Sequence, residues 1–218
     1  MKGVSILFEN EQCIVCNKPP GLAVQGGAAV HRSLDMMLAE IRSPRPLLVH
    51  RLDKDVSGVI LAAKHREAAA RFGALFASGA GITKQYLAVC AGRPGKPAGV
   101  ISAPLIIRGR EREARTSYRT LSSSGGFSLL EIDLGTGRTH QIRRHLAYLG
   151  NPVLGDGKYG DFALNRSLRK TGGINGILLH ASRLVITKAA CGFLLDAAAP
   201  PPWPYPYLKA AGMGAGPE

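Results

Sequence analysis

The stretch LLVHRLDKDVSGVILAAK, residues 47–64, places charged side chains between two apolar runs. The second run, VILAA, has the composition of a buried strand. Asp53, Asp55 and three potential cations stand just before it. An isolated buried charge is costly, so these groups must be solvated, paired or used. A surface turn is the simplest explanation for most such stretches, and the rest of the chain argues for a functional one.

Composition bounds the class of protein. The chain has 218 residues, of which 45% are hydrophobic, enough for one sizeable core or for a large and a small domain. No run approaches the roughly 18 apolar residues of a membrane helix, and acids interrupt the N-terminal stretch too early for a secretory signal. We therefore expect a cytoplasmic monomer without membrane contact.

The charge balance indicates a polyanionic partner. Lys and Arg number 28 against 15 acids, which gives a net charge of +13 and a pI near 10.0. Neutralising phosphates releases counterions and supplies affinity. A generally basic proteome is the alternative explanation. Aromatic residues make up only 6% of the chain, so a platform of stacked bases is not indicated.

The cysteines do not indicate a metal site. Cys13 and Cys16 form a CxxC pair, but QCIVCNK is typical of a strand, in which residues three apart point to opposite faces. No second CxxC or spaced histidine pair completes a zinc set. Buried apolar cysteines are the better interpretation, and neither metal nor disulfide is expected.

Periodicity and turn residues predict many strands joined by hairpins, with helices inserted between them. Helices are expected over SLDMMLAEI with Ser33 as N-cap, over REAAARFGALFAS before Gly79, and over THQIRRHLAYL before Gly150. The fold class is α+β, a mixed, largely antiparallel central sheet with flanking helices. We expect one domain over residues 1–208 and a flexible tail over 209–218.

An arginine-rich segment, IIRGREREART, is typical of a hairpin. Its tip carries four arginines, opposed by only two glutamates. Contact with an RNA phosphate backbone and a merely solvated loop are about equally good explanations. The four candidates for RNA contact are Arg108, Arg110, Arg112 and Arg115.

A second basic segment is GTGRTHQIRRH. Thr139 is a candidate N-cap, and an anion at that helix start would meet free backbone N–H groups. Arg143 and Arg144 point about 100° apart, so at most one faces the site that His140 faces. A carboxylate opposite such cations stays ionised, which suits a nucleophile or an electrostatic stabiliser. The substrate-binding candidates here are Arg138, Thr139 and His140.

Five stretches taken together resemble the RluA-type branch of the pseudouridine synthases. They are LFENEQCIVCNKPPGLAVQ, HRLDKDVSG, KQYLAV, TGRTHQIRRHLAYLGNPVLGDGKYG and LLHASRL. The resemblance implies a catalytic domain that isomerises uridine to pseudouridine in structured RNA, without metal or organic cofactor. Uracil leaves C1′ and rejoins it through C5. It implies ribosomal RNA as substrate, with transfer RNA as the alternative.

The resemblance also implies roles for individual residues. Asp53 becomes the catalytic carboxylate, which either attacks C1′ or removes the 2′ proton; the sequence leaves both routes open. Tyr86 packs on the uracil where the C5 proton leaves, and Arg143 pairs with Asp53. Arg51 helps to fill the stack vacated by the flipped base. Leu179 supplies an apolar floor beneath the base or belongs to the core.

The chain departs from the family pattern at two points. Val56 stands where the family usually has Thr, which removes a hydroxyl contact, and the S4 RNA-binding domain of larger members is expected to be absent. We expect His50 and His180 to be structural, and His145 to lie on the helix surface or behind the site. No phosphate-loop spacing occurs in GDGKYG, so nucleotide hydrolysis is disfavoured.

Two other classes of function compete with the isomerase. A non-catalytic RNA-binding module is consistent with the positive charge. A glycosidase or nucleoside hydrolase could use paired carboxylates, but neighbouring loop acids such as Asp53 and Asp55 have no special claim to the separation that glycosidases need. Product analysis separates the hydrolases, since isomerisation releases nothing.

Overall fold

The computed structural model describes residues 4–27, 30–171 and 174–203. No helix in these ranges is long and apolar enough to cross a membrane. The tail predicted over 209–218 lies outside them. The strands are β1 (Ser5–Glu9), β2 (Cys13–Lys18), β3 (Leu47–Leu48), β4 (Ser57–Ala63), β5 (Ile82–Ala91), β6 (Ala98–Ile101), β7 (Leu105–Ile107), β8 (Arg110–Arg112), β9 (Thr116–Ser124), β10 (Phe127–Leu134), β11 (Leu179–Ile186) and β12 (Leu195–Ala198). The helices are α1 (Leu34–Ile41), α2 (Arg66–Ser78), α3 (Gln141–Tyr148), α4 (Phe162–Thr171) and α5 (Lys188–Cys191).

The chain forms two compact units. Of the residues that the structure describes, those up to 84 and those over 181–201 form the first unit, and those within 85–180 form the second together with 202 and 203. The predicted class is confirmed: these elements form an α+β fold with a mixed, largely antiparallel sheet and few flanking helices.

In the first unit, β2 and β4 are the most deeply buried strands: β2 is buried at five of its six residues and β4 at all seven. β2 pairs antiparallel with β1 on one side and with β4 on the other. β3 pairs with β4, and β12 pairs with β11. Cys13 and Cys16 are both buried in β2, as expected for small apolar side chains.

Two helices of the first unit, α1 and α2, follow the signals in the sequence. α1 begins after Ser33, whose hydroxyl accepts from the backbone N–H of Met36, and α2 ends at Gly79 in the left-handed conformation. α2 contributes Ala68 and Phe72, both fully buried, to the core cluster that includes strand residues of β2 and β4. Burial of Phe72 alone stabilises the fold by about 1.5–3 kcal/mol.

The second unit is built on the antiparallel strand order β5, β10, β9, β6. β9 and β10 are joined by a Gly125–Gly126 turn, and β7 and β8 form a separate hairpin. Its core cluster includes Leu87, Leu129 and Trp203. His180 is fully buried with its ring edge-on to Trp203, 6.4 Å between centroids, in keeping with the structural role predicted for it.

Two helices were not predicted. α4 carries its own signals: the Asp161 carboxylate accepts from the backbone N–H of Leu164 at 2.9 Å, and Leu164 and Leu168 pack against the core. α5 is a single turn of four residues, too short for a periodic pattern to be visible. The stretch ILLHASRLVIT contains one strand, β11, and not a strand pair.

Candidate active site

The loop between β3 and β4 presents Asp53 from a short turn. The backbone N–H of Val56 donates to the carbonyl of Asp53 at 3.2 Å. Leu52 and Val56 are buried on either side, whereas Arg51, Lys54 and Asp55 are exposed and Asp53 is half-buried. The two apolar residues therefore anchor the loop, and the charged side chains lie at the surface of the first unit. Val56 occupies an apolar position where a hydroxyl is not required for packing.

Gly58, the second residue of β4, lies where the strand approaches Ala181 of β11 too closely for a side chain. A Cβ atom there would lie 2.2 Å from the backbone oxygen of Ala181, and the φ angle of Gly58 is +117°. Any other residue here would clash with Ala181 and would be strained at this φ angle, unless β4 or β11 moved.

Lys18, the last residue of β2, lies fully buried beneath this loop. Its ammonium group donates to the carbonyl oxygens of Pro19, Leu22 and Lys54, at 3.0, 2.8 and 2.9 Å. Burial lowers the pKa of Lys18 to about 8, and the carboxylates of Asp55 and Asp53 oppose that shift. Lys18 was not among the residues predicted from the sequence, although a lysine at the end of a largely apolar strand was an available signal.

We expect Lys18→Met to lower the free energy of unfolding by about 2–4 kcal/mol, because three carbonyl oxygens lose a charged donor. Urea titration followed by circular dichroism measures the loss. Lys54→Met is the control, since that side chain is exposed, and its effect should stay within about 0.5 kcal/mol. Equal effects of the two substitutions would contradict the role given to the buried ammonium.

His50 is a structural residue, as predicted. Its Nε2 accepts from the backbone N–H of Leu61 at 2.9 Å, and its ring stacks on Phe76 with 4.0 Å between centroids. Burial, with a smaller contribution from the positive charge of Lys84, lowers the pKa of His50 to about 3. His50 is therefore neutral at physiological pH, and its lone pair fixes the start of the HRLD loop to β4.

This arrangement predicts acid sensitivity of the fold. The folded pKa of His50 lies below its ordinary value of 6.5, so the unfolded chain binds the extra proton. The stabilisation is complete above pH 6.5 and is lost as pH falls toward 3, at about 1.4 kcal/mol per pKa unit. Unfolding free energies measured between pH 7 and 4.5 should fall more steeply for the wild type than for His50→Gln. The exposed His31→Gln substitution should leave the wild-type slope unchanged.

In the second unit, α3 begins differently from the prediction. The N-cap is His140, in the left-handed conformation with φ +53° and with no side-chain cap hydrogen bond. Thr139 is exposed and is not the cap, so that prediction was wrong. The backbone N–H of Arg138 donates to the Gln141 side-chain oxygen at 3.0 Å instead. Gln141, the first residue of the helix, thus holds the loop before it, and the first turn has no side-chain cap.

A buried polar network ties this helix start to β9. Gln141 donates to the Arg115 carbonyl and to the Thr116 hydroxyl, at 2.9 and 3.0 Å. His145 joins the Thr116 hydroxyl at 2.8 Å and the Ala103 carbonyl at 2.9 Å. His145 is fully buried, which excludes the helix surface and leaves the other predicted position, behind the site. The network fixes α3 against the base of the arginine-rich hairpin.

Arg143 and Arg144 diverge as the helical geometry predicts. Arg143 donates from Nε and Nη2 to the two carboxylate oxygens of Asp156, both at 2.8 Å. Arg144 instead donates to the carbonyl of Ile106 in the hairpin, at 3.1 Å. Burial raises the pKa of Asp156, but the hydrogen bonds from Arg143 and from the backbone of Tyr159 and Lys158 outweigh it, so the net shift is downward.

The side of the helix that bears Arg143 also bears His140. The Nδ1 of His140 lies 3.0 Å from the Tyr159 hydroxyl, and the Arg143 guanidinium lies 5.3 Å from the centroid of the Tyr159 ring. These contacts form one cluster of four residues: His140, Arg143, Asp156 and Tyr159. Only His140 and Arg143 were predicted from the sequence as site residues.

The arginine-rich hairpin is exposed, as predicted. Its turn is Arg108–Gly109, with φ angles of +51° and +73°, a conformation that tight hairpin turns require. Arg108, Arg110, Arg112 and Arg115 all point to solvent, and Arg138 Nε donates to the carbonyl of Glu113 at 3.1 Å. The second unit thus carries five exposed arginines, on the hairpin, just after it and just before α3.

The remaining candidates lie on strands of the second unit. Tyr86 is half-buried on β5, opposite Ile132 of β10. Leu179 is the first residue of β11 and is buried, with 3% of its surface exposed. Asp53 and Arg51 belong to the first unit, and Tyr86, Arg143 and the substrate-binding candidates of the GTGRTH segment belong to the second.

Comparison with known proteins identifies the family. A family model described as RNA pseudouridylate synthase matches residues 12–148. The chain is 36% identical over 210 residues to the Escherichia coli protein named ribosomal large subunit pseudouridine synthase C, covering 89% of this chain and 66% of that protein. It is 37% identical over 192 residues to the Arabidopsis thaliana protein named RNA pseudouridine synthase 4, mitochondrial, covering 71% of this chain and 40% of that one. The chain thus spans just under two thirds of the first of these relatives.

Solved structures agree. Human RNA Pseudouridylate Synthase Domain Containing 4 superposes with a TM-score of 0.75 at 27% identity, covering 91% of this chain and 88% of that chain. Human RNA Pseudouridylate Synthase Domain Containing 1 has a TM-score of 0.78 at 24% identity, covering 97% and 88%, and shares the fold. The HRLD, KQY and HQIR motifs all lie within residues 12–148, which the family model matches. The chain belongs to the RNA pseudouridylate synthase family.

Proposed function

We propose that this protein converts uridine to pseudouridine at specific positions of structured RNA. The observation that carries the proposal is the family match over residues 12–148, which includes Asp53, Tyr86 and Arg143. The same three residue types stand in the motifs on which the family resemblance rests. The net charge of +13 is consistent with a polyanionic substrate.

The proposed reaction is an isomerisation without a co-substrate. The bond between C1′ of the ribose and N1 of uracil breaks, the base turns, and a bond forms between C1′ and C5. The proton on C5 is lost to solvent and N1 gains one, so the atoms balance. Asp53 either attacks C1′ as a nucleophile or removes the 2′ proton. Both routes require an ionised carboxylate, and neither requires a metal or organic cofactor.

Other residues handle the base. We propose that Tyr86 packs on the uracil near the departing C5 proton and that Arg143 keeps the catalytic carboxylate ionised. Flipping a uridine out of folded RNA costs a few kcal/mol. Arg51, exposed beside Asp53 in the loop, fills the vacated stack. Leu179 contributes the apolar floor or belongs to the core; its burial is compatible with both.

The exposed arginines of the second unit provide the RNA-backbone contacts in this proposal. Arg138 is tied to the end of the hairpin by its hydrogen bond to the carbonyl of Glu113, and Thr139 and His140 orient the loop. Because each lost phosphate contact reduces counterion release, removal of hairpin charges should weaken the salt dependence of binding, and the loss of affinity should be largest at low salt.

We expect the double substitution Arg110→Gln and Arg112→Gln to reduce the slope of log affinity against log salt by about 1–2, since each phosphate contact contributes about 0.7–0.9. Filter binding of an unmodified large-subunit ribosomal RNA transcript, from about 50 to about 300 mM salt, measures the slope. The matched control is Arg45→Gln with Arg183→Gln, which removes two exposed arginines already paired with Asp35 and Asp196. If the control changes the slope as much as the hairpin variant does, the hairpin has no special role.

The substrate proposed is ribosomal RNA, with transfer RNA as the alternative. The first relatives are named for the large ribosomal subunit. We also propose that residues 1–208 act together as one catalytic domain, as a monomer in the cytoplasm. A non-catalytic RNA-binding module is the competing function; it predicts that the purified protein binds ribosomal RNA transcripts and modifies none.

A further inference from the structure

The loop GDGKYG, residues 155–160, has no part in the function described so far. We propose that Asp156 and Tyr159 of this loop are positioning residues that hold the guanidinium of Arg143 in a single orientation for the reaction. The inference rests on the proposed function, because it gives a role to a partner of one of its catalytic residues.

The loop has a fixed conformation. Gly155 has a φ angle of +74°, and a Cβ atom there would lie 2.0 Å from the carbonyl oxygen of Gly176. Asn165 of α4 accepts from the backbone N–H of Gly155 and donates to the carbonyl of Asp156, at 2.8 and 3.0 Å. A Cβ atom on Gly160 would lie 2.4 Å from that same carbonyl. The two glycines are needed for close backbone approach and not for binding a phosphate.

Backbone hydrogen bonds hold the carboxylate of Asp156 in place independently of Arg143. Its Oδ1 accepts from the backbone N–H groups of Lys158 and Tyr159, at 2.8 and 3.0 Å. The side chain is buried, with 1% of its surface exposed. A carboxylate that is held by two backbone donors and shielded from water cannot rotate to follow a moving cation.

Arg143 meets this carboxylate in a two-point contact. Nε and Nη2 each donate to one carboxylate oxygen, which fixes both the position and the plane of the guanidinium. The Tyr159 ring lies against the same guanidinium, and its hydroxyl meets His140. Nη1 is thereby directed away from Asp156. The side chain of Arg143 is only 12% exposed, so solvent does not compete for it.

The Arg143–Asp156 pair contributes more to the orientation of the guanidinium than to the stability of the fold. A buried ion pair contributes little net free energy, because desolvation offsets the attraction between the charges. Orientation is different, since a displacement of about 1 Å in a catalytic group can reduce the rate about 100-fold. Lys158, in the same loop, carries its ammonium 5.5 Å from the Tyr159 ring centroid, and His140 meets the Tyr159 hydroxyl.

Asp156→Asn tests the inference selectively. The amide oxygen still accepts from the backbone of Lys158 and Tyr159, so the loop is retained. The amide nitrogen replaces Oδ2 and meets the Nε–H of Arg143, donor against donor. We expect a fall in kcat of about 100-fold with KM for RNA changed less than threefold. We also expect the acid side of the pH–rate profile to move to higher pH, because a misplaced cation no longer supports an ionised carboxylate.

The assay is release of tritium from a large-subunit ribosomal RNA transcript labelled at C5 of uridine, from pH 5 to 9, with thermal unfolding measured in parallel. The matched control is Asp196→Asn, which breaks the corresponding two-point pair with Arg183 at the surface; it should leave kcat and the profile unchanged. Unchanged kcat and an unshifted or downward-shifted acid side in Asp156→Asn would overturn the inference.

Tyr159 gives a second test that does not depend on the folding of the Asp156 variant. Tyr159→Phe keeps the ring against Arg143 and should remain within about threefold of wild-type kcat, whereas Tyr159→Leu should lose at least tenfold. Equal activity of the two overturns the inference. A wild-type protein that releases no tritium from any RNA would instead overturn the proposed function, and the inference with it.

Discussion

Asp53→Asn is expected to reduce pseudouridine formation by at least about 1000-fold while RNA binding stays within a few-fold of wild type. The substitution preserves the shape of the side chain but removes the negative charge that either route of the proposed reaction needs. General-base and nucleophilic groups typically contribute 100-fold to 10,000-fold or more. Arg51 and the hairpin arginines are untouched, so the electrostatic part of RNA affinity remains.

Tritium release from C5-labelled transcripts measures the rate, and filter binding measures affinity. Asp55→Asn is the matched control: the same chemical change two residues away, at an exposed position of the same loop. Wild-type turnover in Asp53→Asn, or an equal loss in Asp55→Asn, would rule out Asp53 as the catalytic carboxylate.

Gly58→Ala has the largest expected effect on the fold. The added methyl group would lie 2.2 Å from the oxygen and 2.7 Å from the carbon and nitrogen of Ala181. These are backbone atoms that cannot rotate away, so β4 or β11 must move. Overpacking costs about 1–3 kcal/mol, and a non-glycine residue at φ +117° costs a further 1–3 kcal/mol. We expect the free energy of unfolding to fall by about 3 kcal/mol or more.

The matched control is Gly73→Ala in α2. A Cβ atom there meets nothing within 4 Å, and replacing a glycine by alanine inside a helix stabilises by about 0.5–1 kcal/mol. Urea unfolding should therefore shift in opposite directions for the two variants. A Gly58→Ala protein as stable as wild type would show that the close approach of β4 to Ala181 is not rigid.

The local elements were predictable where the chain carries strong signals. Ser33 and Gly79 mark the ends of helices that the structure confirms, and the Arg108–Gly109 turn is the hairpin that the sequence indicated. α4 was missed because its apolar face is narrow and its cap, Asp161, was overlooked. The N-cap of α3 was assigned wrongly to Thr139, since a left-handed residue at His140 is not visible as a pattern.

The site was predictable only in part. Asp53, Tyr86 and Arg143 were chosen from motifs, and chemistry alone reached no further than an ionised carboxylate near arginine. Lys18 and Asp156 act through partners far from them in the chain, Lys54 and Arg143. Such pairings depend on tertiary structure, so the local periodicity of the sequence does not predict them. The sequence left open whether His145 lies on the helix surface or behind the site for the same reason, since its partners are Thr116 and Ala103.

The central claim, that this protein makes pseudouridine in RNA, is tested most directly by mapping. Total RNA from cells with and without the protein is labelled with carbodiimide, and pseudouridines are located as reverse-transcription stops. We expect one or a few stops in ribosomal RNA to disappear when the protein is absent. They should return when the wild-type chain is expressed again, but not when the Asp53→Asn variant is expressed. An unchanged pattern in every RNA, together with no tritium release by the purified protein, would contradict it.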